Sequence, residues 1–459
     1  MLFRGTDDGS HADERERAPS PEQIVYTINH AGAKVLLVNR EFLPLLESIR
    51  LRLETVDRFV LLSDETQSDV PSFSGEYEAL LESASPDYDF PDFDEHTRAT
   101  TFYTTGTTGL PKWVYFSHRQ LVLHTLAAAA ALGGSAQHGR FHREDVYMPI
   151  TPMLHVHAWG LPYVATMLGV KQVYPGRYQP ERLLELIRRE GVTFSQCVPT
   201  ILHMLLTHPS AQDIDLSRLK VVIGGSSLPE GLATRALEMG IDVFTGYGMS
   251  ETCPILTLAQ PSSSQLPEDA QWRCRAGLPI PLVDLRLVDE AMTSLPRDGQ
   301  QIGEVVVRAP WLTQGYHQNT EASEALWHGG YLHTGDLGVI GPDGVVTLAD
   351  RLKDVIKTSG EWVSSLQIES LISQHPAVSE VAVIGGPHEK WGARPLALVV
   401  LKPGEQATPE SLIELVAKQA AQGQISKWAV PEQLRIVADL ARTSVGKLDK
   451  SRLRTQFSD

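Results

Sequence analysis

The constraint with the longest reach is a repeated succession of helix-patterned stretches and short, continuously apolar, β-branched runs. From Pro21, the stretch PEQIVYTINHAG reads as a helix ending at Gly32 and leads into AKVLLV over 33–38. EFLPLLESIR then precedes RFVLLS over 58–63, and ERLLELIRREGVTFSQCV and LKVVIGGSSLP…MGIDVFTGYGMSE repeat the theme. A strand that is apolar on both sides needs cover on both faces, and parallel neighbours need a crossover that is usually a helix. The pattern therefore predicts an α/β fold of parallel sheets faced by helices. In such sheets ligands gather at the loops that follow the carboxyl ends of the strands.

From about Gln301 the character changes. GEVVVRAP and DGVVTLAD are short strands punctuated by Gly, Pro and Asp, which predicts a small antiparallel unit. After Arg351-Leu352-Lys353 a βαβ-like order begins: VSEVAVIGG, ALALVVLKPG, a helix from Pro409 to Gln422, then QLRIVADL. A length of 459 residues supports more than one folding unit. The expected division is 1–20 as a charged, disordered segment, 21–352 as a large domain and 353–459 as a small α+β domain.

Composition narrows the partners. The net charge of −16, from 40 basic and 56 acidic residues, argues against general affinity for nucleic acid or anionic membrane. A polyanionic ligand would need a local site. Cys197, Cys253 and Cys274 form no CxxC pair and fit a reducing compartment. No apolar run is long enough to span a bilayer, and MLFRGTDDGSHADERERAPSP lacks the apolar core of a signal peptide. The expectation is a cytoplasmic protein.

Several loops carry residues suited to chemistry, each with an ordinary alternative. TFYTTGTTGLPK (101–112) is a strand followed by a Thr- and Gly-rich loop and Lys112. Its backbone amides, hydroxyls and lysine suit phosphate oxygens, although it fails the GxxxxGK[ST] and GxGxxG templates and reads equally as a polar surface loop. In FTGYGMSET (244–252), a strand ends at Phe244 and Gly246, Tyr247 and Gly248 make a tight turn. Glu251 between two hydroxyls suits Mg²⁺, but Ser250 as a helix N-cap is the commoner explanation. GGSSLPE (224–230) is a glycine turn after KVVI or the rim of a ligand site. Asp336 in YLHTGDLG lies in a turn, where it suits sugar hydroxyls or plain solvation. Arg351 beside Asp350 reads alone as a salt bridge of little weight if exposed. Lys447 in ARTSVGKLDK reads alone as a surface lysine. The HVH of His155 and His157 lacks further ligands for zinc, and the missing GxSxG weakens a hydrolase reading.

Taken in order, YTTGTTGLPK, PMLHVHAWG, GGSSLP, YGMSE, YLHTGDLG, DRLKDVIKTSGEW and TSVGKLDK resemble the AMP-forming acyl-CoA synthetases of the adenylate-forming superfamily. The likeness runs from about Pro21 to Arg454. It implies a large adenylation domain, a small mobile lid, and ATP, Mg²⁺ and CoA as ligands. Thr104, Thr105, Gly106, Thr107, Thr108, Gly109 and Lys112 would hold the ATP phosphates. Gly225, Ser226 and Ser227 would border adenine, and Tyr247 would stack on it. Ser250 stands where the family usually has threonine. Glu251 would ligate Mg²⁺, and Asp336 and Arg351 would contact the ribose. Lys353 would be the hinge, and Lys447 would reach the acyl carboxylate and α-phosphate. Ser359, Gly360 and Glu361 would face CoA, and His155 would gate the acyl pocket.

The resemblance further implies that a carboxylate attacks the α-phosphorus of ATP and that a thiol then displaces AMP. It is strongest toward bacterial medium- and long-chain fatty acyl-CoA ligases. A ligase for 3-methylmercaptopropionate or another short acid is the alternative, as are a carrier-loading adenylation enzyme and an impaired remnant that binds nucleotide or acyl ligand. Trp159, Leu161 and Val198 suit an aliphatic acid, and family members are often homodimers. Two departures stand out. The charged segment 1–20 replaces the N-terminal part that family members carry, so the chain reads as truncated, through an altered start or a frameshift. Trp113 replaces a family glycine, which predicts weaker ATP binding or a rearranged loop.

Overall fold

The computed structural model describes residues 20–64, 72–104, 112–134, 140–176, 178–260, 270–358, 361–388, 390–423, 425–442 and 448–457. Contacts gather into two compact units, one comprising Met1–Thr97 with Thr101–Trp113, the other Arg98–Thr100 with Val114–Asp459.

In the first unit, the helix Pro21–His30 starts on a reciprocal cap. Ser20 Oγ accepts from Gln23 N, and the Gln23 side chain accepts from Ser20 N. Such a box satisfies two otherwise orphaned amides and fixes where the helix begins. Its Ile24, Val25 and Ile28 are buried with Leu36, Val38, Leu46, Ile49 and Phe59 in one apolar cluster. Strands β1 (Val35–Asn39) and β2 (Arg58–Leu62) pair in parallel from Val35↔Arg58 to Asn39↔Leu62. The period-based expectation for this stretch holds. β3 (Arg98–Thr104) and β4 (Lys112–Ser117) form a two-stranded sheet, and their residues are shared between the units.

Trp113 packs among aromatic rings of its own unit. It is 5% exposed, stacked on Tyr103 with ring centroids 6.2 Å apart and edge-on to His30 at 5.5 Å. His30 Nδ1 in turn lies 2.7 Å from the Tyr103 hydroxyl. Neighbouring residues of a strand project to opposite faces, so the indole turns inward on the face that Lys112 does not use.

The second unit is built on a seven-stranded sheet in the order β11-β10-β9-β8-β7-β5-β6. β5 (Val146–Pro149), β6 (Lys171–Gln172), β7 (Phe194–Cys197), β8 (Lys220–Ile223) and β9 (Asp242–Gly248) are parallel. β10 (Ile255–Leu258) and β11 (Leu278–Pro279) extend it in antiparallel fashion. Leu183, Leu184 and Ile187 of the helix Pro180–Glu190 pack with Leu202, Val221, Ile223 and Val243 in the main core. One expectation is corrected here. Gly246, Tyr247 and Gly248 are not a tight turn but the end of β9, where Gly248 pairs with Ile255. A Cβ on Gly248 would lie 1.8 Å from the Pro254 carbonyl oxygen, so the glycine serves a close crossing of backbones rather than a turn.

β12 (Asp284–Val288), β13 (Gly303–Arg308), β14 (Leu332–Ile340) and β15 (Val346–Arg351) form the expected antiparallel sheet, which begins at Asp284 rather than near Gln301. Asp336 is likewise corrected: it lies within β14, directly opposite Arg351 of β15, and not in a turn. The last sheet contains β16 (Ile356–Thr358), β17 (Glu361–Val363), β18 (Val378–His388), β19 (Gly392–Leu401) and β20 (Gln433–Ile436). β18 and β19 are an antiparallel hairpin, because the short stretch between His388 and Gly392 cannot make a parallel crossover. The βαβ expectation applies to β19, the helix Pro409–Ala421 and β20, which pair in parallel.

Candidate functional site

Three strands of the second unit converge on one acidic residue. Tyr247, 7% exposed near the end of β9, donates its hydroxyl to Asp336 Oδ2 at 2.8 Å. Asp336 Oδ1 faces Arg351 Nε at 3.5 Å. Burial, then the neighbouring Asp336 charge, push the Tyr247 phenol well above its ordinary range, so it remains a donor. Asp350, by contrast, turns away from the Arg351 side chain, accepting Arg351 N on Oδ1 and Ser365 N on Oδ2. Arg351 thus pairs with a residue distant in sequence rather than with its neighbour. At the end of β8, Gly224 lets the Trp159 indole lie against backbone, since a Cβ there would sit 3.1 Å from the ring and 2.9 Å from the Gly246 oxygen. Gly225 follows with Ser226 and Ser227, both serines exposed.

The second grouping centres on Glu251. It occupies a 3₁₀ turn, Ser250–Thr252, and is only 6% exposed. Its carboxylate oxygen Oε1 accepts from the Tyr316 hydroxyl at 2.7 Å, and its carbonyl accepts from Thr313 N at 3.0 Å. Ser250 is not the N-cap that its position suggested. Met249 occupies that place, and the Thr252 hydroxyl bonds Met249 N at 3.0 Å and closes the turn. Thr252 is therefore engaged internally, and the Glu251 carboxylate is the charged oxygen donor of this turn. A Mg²⁺ ion fits such a donor set, because it usually takes one or two carboxylates and completes its shell with substrate phosphates and water.

Tyr316 carries no recognisable motif in TQGYH, and sequence reasoning missed it. Only its pairing partners reveal it. Tyr316 bridges to Val114 in antiparallel fashion, and Thr313 Oγ1 donates to the Tyr115 carbonyl, which ties this segment to β4. Burial and the Glu251 charge raise the Tyr316 phenol, again preserving the donor.

The HVHAWG segment adopts an uncommon backbone. Val156, His157, Ala158, Trp159 and Gly160 have φ of 50°, 55°, 48°, 64° and 74°. A left-handed turn of L-residues costs about 1–2 kcal/mol per residue. It survives only when its surroundings over-determine it. Here His157 Nε2 lies 2.8 Å from Thr100 Oγ1, Gln196 Nε2 donates to the Ala158 carbonyl at 3.0 Å, and Trp159 lies on Gly224. Burial pushes the His157 imidazole down to about 4. His155, half-buried, precedes this turn, and its amide donates to the Pro152 carbonyl at 2.9 Å. Trp159, Leu161 and Val198 are all buried.

Lys353 follows Arg351 by two positions. Thr104 ends β3 and Lys112 opens β4. Thr105, Gly106, Thr107, Thr108, Gly109, Ser359, Gly360, Lys447 and the Glu361 side chain lie outside the described residues.

With this geometry in hand, the comparisons with known proteins are direct. The chain matches the AMP-binding enzyme family over residues 16–317 and the AMP-binding enzyme C-terminal domain over residues 367–447. It belongs to that family of adenylate-forming enzymes. It is similar to a long-chain-fatty-acid–CoA ligase of Thermus thermophilus, at 42% identity over 96% of this chain and 80% of the relative. It is also similar to a 3-methylmercaptopropionyl-CoA ligase of Ruegeria lacuscaerulensis, at 39% identity over 96% of this chain and 81% of the relative. A medium-chain-fatty-acid–CoA ligase of Ectopseudomonas oleovorans matches at 35% over 95% and 80%.

Among solved structures, an anthranilate CoA ligase in complex with anthranoyl-AMP superimposes with a TM-score of 0.83 at 26% identity, covering 95% of this chain and 81% of that one. ATP-bound MatB from Rhodopseudomonas palustris gives 0.78 at 26% identity, over 96% and 82%. The fold is the adenylate-forming fold, and the activity is that of an AMP-forming acid–CoA ligase, with ATP as its nucleotide. Among the described residues no helix is long and apolar enough to cross a membrane.

Proposed function

We propose that the chain activates a medium- or long-chain fatty acid and delivers it to CoA. In the first step a carboxylate oxygen bonds to the α-phosphorus of ATP and pyrophosphate leaves, giving an acyl-adenylate. In the second a thiol sulfur bonds to the acyl carbon, AMP leaves, and the thiol proton passes to solvent. The observation that carries this reading is the convergence of Tyr247, Asp336 and Arg351 in one hydrogen-bonded and ionic cluster from three strands. That cluster suits an adenosine, with a flat phenol for the base and a carboxylate for the sugar hydroxyls.

The remaining assignments follow the same logic. Gly225, Ser226 and Ser227 border the base, and Ser250 replaces the usual threonine beside Glu251. Glu251, oriented by Tyr316, would hold Mg²⁺, which when bound draws negative charge from the phosphates. Thr104 to Gly109 and Lys112 cradle the phosphates, with Lys447 at the reacting oxygen. Lys353 is the hinge between a body of residues 21–352 and a lid of residues 353–459. Ser359, Gly360 and Glu361 face the pantetheine once the lid has turned, and His155 stands beside the acyl site. Trp159, Leu161 and Val198 support an aliphatic acid.

A second reading has specific support. The 39% identity to a 3-methylmercaptopropionyl-CoA ligase makes a short thioether acid a competing substrate. Acid-dependent ATP–pyrophosphate exchange, then thioester formation across a series from butyrate to stearate plus 3-methylmercaptopropionate, separates the two. Exchange driven best by long acids supports the first reading and exchange driven best by the thioether acid the second. No exchange from a folded sample sinks both and leaves a nucleotide- or acyl-binding remnant.

A further inference from the structure

The region after Lys353 rests on two helices of the seven-stranded layer, and one side chain links the two. Arg442 donates through Nη1 to Thr200 Oγ1 at 2.6 Å and through Nη2 to Glu380 Oε2 at 2.5 Å. Thr200 is the second residue of the helix Pro199–Thr207, just beyond the carboxyl end of β7, while Glu380 belongs to β18. The same face carries lighter contacts. Ser379 Oγ lies 3.4 Å from His203 Nε2, Gln374 Nε2 donates to Glu230 Oε2 at 3.0 Å, and a Cβ on Gly231 would sit 2.8 Å from the Ser373 carbonyl.

The Arg442 side chain is 9% exposed, so its charge requires a partner. Glu380 supplies one from within the C-terminal region itself. Thr200 is a neutral acceptor on the sheet-bearing body. If the C-terminal region moves, the ion pair travels intact while the bond to Thr200 breaks along with the lighter contacts of this face. A planar guanidinium fork suits this double duty, because its donors point in fixed, separate directions. Arg442 also has a backbone partner further along the chain. It bridges to Leu448 in antiparallel fashion, and Asp449 N donates to the Ala441 carbonyl at 2.8 Å. Whatever anchors Arg442 therefore also anchors Leu448 and Asp449, close to the carboxyl end of β7.

We propose that Arg442 is a positioning residue for adenylate formation: through Thr200 it holds the C-terminal region in the pose that serves the first half-reaction, and that bond is released for transfer to CoA. The proposal rests on the two-step ligase reading above. Thr200→Val removes the acceptor and leaves the Arg442–Glu380 pair in place. Arg442→Ala removes both contacts, and Arg442→Lys retains the charge but gathers its donors on one nitrogen.

The test measures the half-reactions separately, as pyrophosphate exchange and as thioester formation from a synthetic acyl-adenylate and CoA. Exchange kcat is expected to fall roughly tenfold in Thr200→Val and Arg442→Ala with little change in the KM for ATP, and to recover in part in Arg442→Lys. Thioester formation from the supplied adenylate stays within about twofold of wild type. An equal loss in both half-reactions, or exchange unchanged in a folded Thr200→Val, overturns the proposal. Thr200→Val keeps the test readable if Arg442→Ala does not fold. Lack of exchange in the wild-type chain would instead defeat the ligase reading itself.

Discussion

Tyr316 donates its hydroxyl to Glu251 across 2.7 Å, so a residue from the connection between β13 and β14 orients the carboxylate of the 3₁₀ turn after β9. A hydrogen bond to a charged group contributes roughly 1.5–3 kcal/mol. Tyr316→Phe deletes this bond and keeps the ring. The expected outcome is a pyrophosphate-exchange rate lowered roughly 10- to 100-fold at limiting Mg²⁺, with a smaller deficit when Mg²⁺ is raised. A Mg²⁺ titration of exchange in both proteins checks it, and superimposable curves would refute it.

The Tyr247–Asp336–Arg351 cluster yields a second prediction. Asp336→Asn keeps an acceptor for Tyr247 but abolishes the ionic attraction to Arg351. If this cluster contacts the nucleotide as proposed, the KM for ATP is expected to rise roughly tenfold while kcat changes less. Arg351 is half exposed, so the ion pair itself contributes little to folding and the melting temperature should barely move. Steady-state kinetics and a thermal melt on the same preparation decide this.

Trp113→Gly is expected to destabilise rather than to repair. The indole fills space against Tyr103 and His30, and deleting a buried tryptophan side chain costs about 3–5 kcal/mol, with glycine in a strand adding to the loss. A denaturant melt that reports a lower midpoint supports this account. A midpoint equal to wild type or higher would show that the indole is not packed as described.

His157 sets a pH dependence. Its folded value, about 4, lies below the ordinary 6.5, so the folded chain binds this proton less readily than the unfolded one. The stability it carries is complete above pH 6.5 and is lost as the pH falls through 6.5 toward 4, roughly 3 kcal/mol in all. In His157→Gln, which retains a side-chain partner for Thr100, stability should change less across that window. Parallel melting profiles for the two proteins would contradict the assignment.

These residues also indicate what a sequence can and cannot disclose. Ser20 with Gln23, and the apolar runs of β1, β2, β8 and β9, are local signals, so the helix starts and the parallel layers are legible from spacing. Asp336 opposite Arg351, and Glu251 beneath Tyr316, depend on which strands become neighbours, and no local pattern encodes that choice. The end of β9 was misjudged for a similar reason. Gly246 and Gly248 look like turn formers until a second backbone, carrying Pro254, crosses close enough to demand them. The left-handed turn at Val156–Gly160 is the extreme case, since four of its five residues disfavour that conformation and only the surrounding contacts enforce it.

The ladder pair Asp336↔Arg351 has one more consequence. Beyond Arg351 the chain folds back at once: Leu352 N bonds the Gly335 carbonyl at 2.8 Å, Asp354 N bonds the Arg351 carbonyl at 2.9 Å, and Asp354 meets Arg454 of the helix Lys450–Phe457 at 2.6 Å. A few residues thus connect the clasp on Asp336 to the last helix of the chain. Linkage is reciprocal: where these bonds couple the two, a ligand that tightens the clasp biases the orientation of that helix, and a shift of that helix alters the affinity for the ligand by the same factor. Occupancy at one end and posture at the other become two readings of a single equilibrium.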